Sequence, residues 1–398
     1  MLRKISVLMA ALLVLAACGQ PYRDLGDEYH NETDYQYYFS HDSNFIAESE
    51  THFFFYGMGG RYLCSRTKET GEVAVLCNKP DCLHHEEKVY ERKFYCNAYA
   101  SGELSLQYYE GALYSADSIA GDIGELIPVI YKIETDGSGY TDILRPRSVL
   151  SNFIIHRGTL YMTYSDFHKG PASYTDEEKA EFSVMGYGVY AYSMKNLSRS
   201  PKKIIEETGH WGQIDTVMGF GNTLCIRAVT AEDYEETNEF SSQQWLYNIN
   251  TAEKRTFEPP RGSTLAWVDD TLVYFGAAEF GDLTQKAVRI NFDGTAAGEL
   301  DIEFRQDLYA FGGILAADNR HLVTFDLVPL EERSVQFYND RGELLNEVLL
   351  HNRRHPGLGI TRDYYFYLKN GQNGDDIWAI DLSDLDNPNL EGKPFYEH

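Results

Sequence analysis

The sequence predicts an all-β fold, a β-propeller of seven four-stranded blades, from three observations. One strand pattern recurs along most of the chain, aromatic residues are abundant, and amphipathic helical runs are scarce. The chain has 30 Tyr and 21 Phe among 398 residues, and aromatic residues favour strands. Internal repetition of short strands at this spacing is typical of propellers.

The repeating unit is a polar or glycine-containing turn followed by a short apolar strand. Its seven instances are His52–Tyr56, Ala112–Tyr114, Thr159–Met162, Thr223–Ile226, Thr271–Tyr274, His321–Val323 and Tyr364–Phe366. A second alternating strand follows each one, and repeats of roughly 40–60 residues have room for four strands. No helices alternate with the strands, which disfavours a parallel sheet. A two-sheet sandwich stays open, as do six or eight blades.

The N-terminus predicts export. Arg3 and Lys4 precede the apolar run Ile5–Leu15, which has the build of a signal peptide and is too short to span a bilayer. The residues Leu15-Ala16-Ala17-Cys18 resemble the lipobox of bacterial lipoproteins. The resemblance implies a diacylglycerol on Cys18 and an extracytoplasmic location at the cell membrane. An ordinary signal peptide is the alternative.

These features divide the chain into three parts. Residues 1–17 are the predicted lipoprotein signal peptide, and 18–43 form an acidic, flexible tether with one short strand at Tyr35–Phe39. Residues 44–398 form the propeller, which includes a Cys/His linker module at 77–99. We expect the protein to be a monomer.

The charge excludes some partners. The chain has 35 Lys and Arg against 61 Asp and Glu, a formal charge of −26. Cleavage would remove Arg3 and Lys4 and no acid, which changes the charge to −28. Such a surface repels phosphate backbones and anionic head groups, so nucleic acid and polybasic membrane docking are disfavoured. The lipid must then supply the membrane attachment.

Long loops are predicted at one end of the propeller. In an antiparallel blade, the loops between second and third strands and the linkers between blades share one end. The extra length falls there, at 115–128, 165–187, 228–243 and 276–285. Long loops on a rigid scaffold often bind ligands. The candidate binding residues there are Asp176, Glu177, Glu232, Asp233 and Glu235, although acidic runs are also typical of a solvated surface.

The linker between the first two blades contains an unusual cluster. Cys77, Cys82, His84 and Cys96 lie within twenty residues and could form a tetrahedral Cys₃His zinc site. Four protein ligands would make that site structural and closed. A disulfide among the three cysteines is the competing reading, because export favours disulfides. Cys64 and Cys225 fall within predicted strands and are expected to be buried thiols.

The stretch Val75–His84 with Cys96–Tyr99 resembles a motif of lipoprotein β-propellers of unknown function from Gram-positive anaerobes. The blades are also similar to TolB-like and domain-of-unknown-function propellers. The resemblance implies a cell-surface propeller. It supplies no activity, so it assigns no catalytic residue.

The sequence has none of the HExxH, GxSxG, P-loop or GxGxxG signatures. We therefore expect a non-enzymatic surface lipoprotein that binds an unknown surface ligand or envelope protein. The alternative is a carbohydrate-active enzyme, a glycosidase or lyase that uses loop carboxylates. A third possibility is an assembly or signalling component that senses an envelope protein.

Overall fold

Strands make up nearly all of the regular structure, as the sequence predicts. A computed structural model describes residues 33–34, 38–39, 45–57, 62–84, 96–99, 105–120, 126–146, 149–167, 184–208, 211–231, 241–257, 264–268, 271–275, 284–291, 294–303, 313–317, 320–325, 334–350, 357–370 and 375–397. Within these ranges, no helix is both long and apolar enough to cross a membrane. The strands form seven antiparallel sheets, the blades of a seven-bladed propeller.

Each blade is built from consecutive strands. Blade 1 contains β2 (Ile46–Glu48), β3 (His52–Gly57), β4 (Tyr62–Thr67) and β5 (Val73–Val75). Blade 2 contains β6 (Gln107–Tyr109), β7 (Ala112–Ala120), β8 (Leu126–Glu134) and β9 (Tyr140–Leu144). Blade 3 contains β10 (Val149–His156), β11 (Thr159–Phe167), β12 (Val184–Ser193) and β13 (Lys202–Thr208). Blade 4 contains β14 (Trp211–Phe220), β15 (Thr223–Ala231), β16 (Ser241–Asn248) and β17 (Lys254–Phe257).

The last three blades follow the same order. Blade 5 contains β18 (Thr264–Val268), β19 (Thr271–Phe275), β20 (Thr284–Ile290) and β21 (Ala296–Glu303). Blade 6 contains β22 (Gly313–Ala317), β23 (Leu322–Phe325), β24 (Ser334–Tyr338) and β25 (Leu344–Leu349). Blade 7 contains β26 (Gly359–Ile360), β27 (Tyr364–Asn370), β28 (Asp375–Asp381) and β29 (Lys393–Tyr396), with a 3₁₀ turn at Leu382–Asp384.

The first strand of each blade lies toward the centre of the ring. These strands contact one another from blade to blade, as β6 and β14 do with β10, and β18 and β26 with β22. Short turns join neighbouring strands, so consecutive strands of a blade lie side by side in its sheet. Glu110–Gly111 and Arg157–Gly158 have positive φ at both positions, which is the type I′ geometry that matches strand twist in a two-residue hairpin.

The turns between first and second strands and those between third and fourth strands share one end, here called the hairpin end. Backbone hydrogen bonds join the two kinds of turn: Met194 N donates to Gly158 O (3.0 Å), Ile249 N to Asn222 O (2.8 Å) and Leu382 N to Asp363 O (2.8 Å). The opposite end, with the second-to-third-strand loops and the blade linkers, is called the loop end.

The predicted long loops at the loop end are shorter than expected where the structure describes them. β7 extends to Ala120 and β8 starts at Leu126, so most of 115–128 is a hairpin rather than a loop. β11 and β12 extend similarly into 165–187. The strands continue because their pairing continues, as in the register Ala120↔Leu126. What remains of these loops lies outside the described residues.

The hydrophobic core lies between blades. Each described cluster joins facing strands of neighbouring blades, as Trp245 and Val189 do between blades 3 and 4. Blades 1 and 7 close the ring through aromatic side chains, and the Phe366 ring packs edge-on against Phe53 and Phe395. In the described ranges, no strand pairing joins those two blades. Ring closure there rests on side-chain packing and on contacts such as Arg66 with the Phe395 carbonyl.

The N-terminal segment adds one more strand. β1 (Tyr38–Phe39) pairs antiparallel with β22 of blade 6 and also contacts β18 and β26, so it lies among the first strands at the centre of the ring. Its position agrees with part of the strand predicted at Tyr35–Phe39. Thr33 and Asp34 are also docked on the propeller, so at least these parts of the predicted tether are fixed. The domain boundaries themselves stay a prediction.

Candidate metal centre

The Cys/His module lies against the outer edge of β4. The backbone of Leu63 in β4 has two partners there: its N–H donates to Ala98 O (2.8 Å), and its carbonyl accepts from Leu76 N (2.8 Å). Tyr62 and Tyr99 form an isolated β-bridge. The end of β5 and the segment at 96–99 therefore share one strand edge, which brings the first and last cysteines of the module together.

The four predicted ligands form one cluster. The sulfurs of Cys77, Cys82 and Cys96 and a ring nitrogen of His84 all lie within 4.8 Å of one another. The Cys96 Sγ–His84 Nδ1 distance is 3.5 Å. A tetrahedral zinc ion with Zn–S bonds of about 2.3 Å places neighbouring sulfurs about 3.8 Å apart. The ligand atoms would therefore need to move only slightly closer together to reach the spacing of a tetrahedral zinc site.

Backbone amides point at the sulfurs. The amides of Lys79 and Asn97 hydrogen-bond to Cys77, and Ala98 N donates to Cys96 Sγ (3.4 Å). Hydrogen bonds to a thiolate stabilise its charge, and such outer partners orient metal ligands. Burial raises the pKa of Cys77, but these amide bonds and the neighbouring thiols lower it below its usual value overall.

Cys96 is the buried member of the cluster, fully shielded from solvent. Burial is the largest cause that raises the pKa of its thiol, to about 12. A thiol in such surroundings stays protonated unless a cation compensates its charge. A bound divalent metal does so, because a coordinating thiol is deprotonated. The donor set and its surroundings fit zinc.

The module also contacts blade 2. Asn78 N (3.0 Å) and Asn97 Nδ2 (2.9 Å) both donate to Gly137 O, in the turn between β8 and β9. Gly137 has φ of +76°, and a Cβ there would lie 2.9 Å from Cys77 N. Only glycine allows this close approach. The cluster therefore sits on the seam between blades 1 and 2.

The remaining predicted site residues have different outcomes. Cys64 in β4 and Cys225 in β15 are buried free thiols, as expected. Cys64 pairs with Val75 across β4 and β5, and burial raises the pKa of its thiol to about 12. Cys77, Cys82 and Cys96 are also free thiols. The lipid-anchor residue Cys18 and the loop acids Asp176, Glu177, Glu232, Asp233 and Glu235 lie outside the described residues.

One buried polar site was not predicted from the sequence. Arg157, whose side chain is fully buried, donates from Nε to Asp34 Oδ1 (2.6 Å) and from Nη2 to Asp34 Oδ2 (3.0 Å). Its Nη1 donates to Asn222 Oδ1 (2.6 Å), and its backbone N–H donates to Thr33 O (2.7 Å). The N-terminal segment is thereby held against the hairpin-end turns of blades 3 and 4.

A buried histidine lies next to this ion pair. His156 is completely buried and donates from Nε2 to Gly221 O (2.8 Å). Burial lowers its pKa to about 4, an effect that outweighs the opposing attraction of Asp34, while Arg157 adds to the lowering. The imidazole is therefore neutral at physiological pH.

Comparisons with known proteins add the fold and nothing more specific. The sequence matches no described protein family and no curated protein. An oligogalacturonate lyase from Vibrio parahaemolyticus is similar in structure, with a TM-score of 0.51 and 14% identity over 91% of this chain and 92% of the lyase. A prolyl endopeptidase matches with a TM-score of 0.51 and 13% identity over 91% of this chain and 50% of the endopeptidase.

A third match is the β-propeller domain of the trilobed protease from Pyrococcus furiosus, which is described as having an open velcro topology. Its TM-score is 0.46, with 12% identity over 74% of this chain and 83% of that domain. This chain spans half the length of the prolyl endopeptidase and 44% of an acylaminoacyl peptidase that it also matches. At these identities the likeness concerns the propeller scaffold alone.

Proposed function

We propose that this chain is a lipid-anchored, extracytoplasmic propeller that binds a surface ligand or an envelope protein at its loop end without catalysing a reaction. One observation carries the proposal: β1 lies among the first strands at the centre of the ring, paired with β22. A channel that holds the protein's own strand has less room for a substrate, so the loop end is the better surface for a ligand. Rigid scaffolds commonly bind through such loops.

The test of binding uses the predicted loop acids. The mature chain is incubated with isolated cell envelopes, and the bound fraction is measured by sedimentation. The double variant Asp176→Asn/Glu177→Gln should bind at least several-fold more weakly. The control Asp384→Asn/Asp386→Asn removes the same charge at the hairpin end and should bind like the wild type. Equal losses in both variants would contradict binding at the loop end.

Catalysis is tested on the same proteins. Oligogalacturonate and a prolyl peptide are suitable substrates because structural neighbours act on these classes, as their names state. We expect no unsaturated sugar product and no peptide cleavage. Turnover that disappears in Glu232→Gln/Asp233→Asn/Glu235→Gln would overturn the non-enzymatic proposal in favour of a carboxylate-dependent enzyme.

The proposed anchor has its own test. Cells that express the chain are grown with a labelled fatty acid. The wild type should take up the label and fractionate with membranes, whereas Cys18→Ala should do neither. Uptake of label by Cys18→Ala would show that another residue is modified.

We infer in addition that the Cys/His cluster holds a structural zinc ion through Cys77, Cys82, His84 and Cys96. Four protein ligands leave no open position for a reacting molecule, so the ion would stabilise the seam between blades 1 and 2. Protein purified without chelator or reductant should contain one zinc per chain.

The matched variants for the zinc test are both cysteine-to-serine changes. Cys82→Ser should lose the metal and unfold at lower temperature. Cys225→Ser should keep the metal, because Cys225 lies in β15 and outside the cluster. Wild-type protein without metal, in which free-thiol counting shows a disulfide, would contradict the zinc site and support the competing reading.

A further inference from the structure

The N-terminal segment reaches the propeller at a defined place. Arg157, in the turn between β10 and β11, makes two contacts with this segment. Its side chain donates to Asp34, and its backbone N–H donates to the carbonyl of Thr33. Asn222, in the turn between β14 and β15, completes the contact. Both turns belong to the hairpin end. Thr33 therefore lies at the hairpin end of blades 3 and 4, and this is where the described N-terminal segment begins.

The outer turns of the same two blades lie directly beside this place. Met194, in the turn between β12 and β13, is hydrogen-bonded to Gly158, the residue after Arg157. Ile249, in the turn between β16 and β17, is hydrogen-bonded to Asn222 itself. The outer turns of blades 3 and 4 are therefore the nearest outer turns to Thr33 and Asp34.

These outer turns, together with the starts of β13 and β17 that follow them, form an exposed basic surface. Its cations are Lys195, Arg199, Lys202, Lys203, Lys254 and Arg255, all exposed. Three acids accompany them: Glu206 pairs with Lys203, Glu207 lies 3.8 Å from Lys254, and Glu253 lies 3.0 Å from Arg255. The basic surface thus has an excess of three positive charges in a chain whose formal charge is −26.

Counted in the same way, with their adjoining strands, the outer turns of blades 2, 6 and 7 are net negative, and that of blade 1 (Arg66, Lys68, Glu69 and Glu72) is neutral. The turn at 135–139 in blade 2 has Asp136 and no base, and the segment at 382–392 in blade 7 has Asp384, Asp386 and Glu391 and no base. The turn at 339–343 in blade 6 has two acids and one base, Arg341. Among the described outer turns, positive charge is therefore concentrated beside Thr33 and Asp34.

We propose that the hairpin end of blades 3 and 4 faces the membrane, with the basic surface against anionic phospholipid head groups and the loop end pointing away. The proposal rests on the lipid anchor proposed above. Thr33 follows Cys18 by fifteen positions, so this end lies within about 50 Å of the lipid even with an extended chain. The overall negative charge repels anionic lipid, and the basic surface is the local exception that sets the orientation.

In this orientation, the loop end is exposed to ligands outside the membrane. A propeller held by its hairpin end presents its second-to-third-strand loops to the space outside the membrane. The surface that we propose for binding is then the surface furthest from the lipid.

The test measures how close each end lies to the bilayer. The mature lipidated chain is reconstituted into phosphatidylcholine vesicles, with or without phosphatidylglycerol, that contain a head-group quencher. A fluorophore is attached in Ser198→Cys, on the β12–β13 turn, or in Asn370→Cys, at the loop end of β27. Unsubstituted protein treated with the same dye gives the background from native thiols.

The Ser198→Cys label should be quenched at least several-fold more than the Asn370→Cys label. The difference should grow with phosphatidylglycerol and shrink at high salt, because exposed charges are screened. Lys202→Glu should reduce the dependence on phosphatidylglycerol. Arg341→Glu makes the same charge change in blade 6 and should leave that dependence intact. Equal quenching at both positions, stronger quenching at Asn370→Cys, or equal effects of the two charge variants would overturn the proposal.

Failure of the anchor can be separated from failure of the orientation. If the fatty-acid experiment shows no lipid on Cys18, the chain is attached to nickel-chelating lipid through an N-terminal histidine tag, and quenching is measured again. The proposed orientation predicts the same order of quenching under this artificial tether. A loss of that order would refute the membrane-facing hairpin end even where the anchor is correct.

Discussion

Removal of the Asp34 carboxylate should destabilise the propeller far more than an average surface substitution. Asp34 accepts two hydrogen bonds from Arg157, at 2.6 and 3.0 Å, and both side chains are fully buried. In Asp34→Ala, the guanidinium loses both bonds to the carboxylate and keeps the one to Asn222 (2.6 Å). An uncompensated buried charge costs about 3–5 kcal/mol. The N-terminal segment can detach and admit water, so we expect about 3 kcal/mol.

The assay is the free energy of unfolding from urea denaturation, measured for a double-mutant cycle. Arg157→Met should cost a similar amount, because it leaves the buried carboxylate without its cation. The double variant Asp34→Ala/Arg157→Met removes both charges and should be more stable than the sum of the single losses predicts by at least about 2 kcal/mol. Asp363→Ala, at an exposed residue, is the control and should change stability by less than about 0.5 kcal/mol.

The result that refutes the reasoning is specific. If both single variants unfold within about 0.5 kcal/mol of the wild type, the ion pair does not hold the N-terminal segment on the folded propeller. If the losses are large but additive, each residue stabilises the protein through other contacts, and the direct pairing of the two charges contributes nothing measurable.

Three further predictions concern single residues of the fold. The pKa of His156 is about 4 in the folded state, against a usual value of 6.5. As the pH falls, the unfolded state therefore protonates this histidine before the folded state does. The free energy of unfolding should then decrease by up to about 3 kcal/mol between pH 6.5 and pH 4. His156→Gln should reduce this decrease in urea titrations, whereas His321→Gln should not. Gly188→Ala should destabilise the protein by more than about 2 kcal/mol in the same assay, because a Cβ would lie 2.0 Å from the backbone oxygen of Ile205; an unchanged denaturation midpoint would contradict that packing. Phe366→Ala removes a fully buried ring between blades 1 and 7 and should cost about 3–5 kcal/mol, and a loss below about 1 kcal/mol would show that this seam does not depend on the ring.

Much of the fold could be predicted because its signals are local. Turn residues and the alternating residues after them lie within one hairpin, so seven copies of the pattern indicate seven blades. Cys64 was predicted to be a buried thiol within a strand, and it lies in β4 with 1% of its surface exposed. The lengths of β7 and β8 were underestimated, since the residues near Ala120 lack a strong apolar alternation, and backbone pairing alone extends the strands there.

The Cys/His cluster was predictable for a similar reason. Its four ligands fall within twenty residues, and cysteine and histidine are rare enough for their spacing to be noticed. The sequence left open whether the thiols bind a metal or form a disulfide. The structure adds the four-way proximity of the ligand atoms and the amides of Lys79, Asn97 and Ala98 that point at the sulfurs.

The sequence by itself determined the strand repeats and the set of candidate metal ligands and favoured seven blades, because each depends on residues close together in the chain. The tertiary structure decided that β1 joins blade 6, that Asp34 meets Arg157, and that the basic outer turns of blades 3 and 4 lie beside Thr33 and Asp34. Asp34 and Arg157 are 123 positions apart, and nothing in the residues around either one indicates the other. Such pairs form only because ring closure brings distant turns to the same end of the molecule.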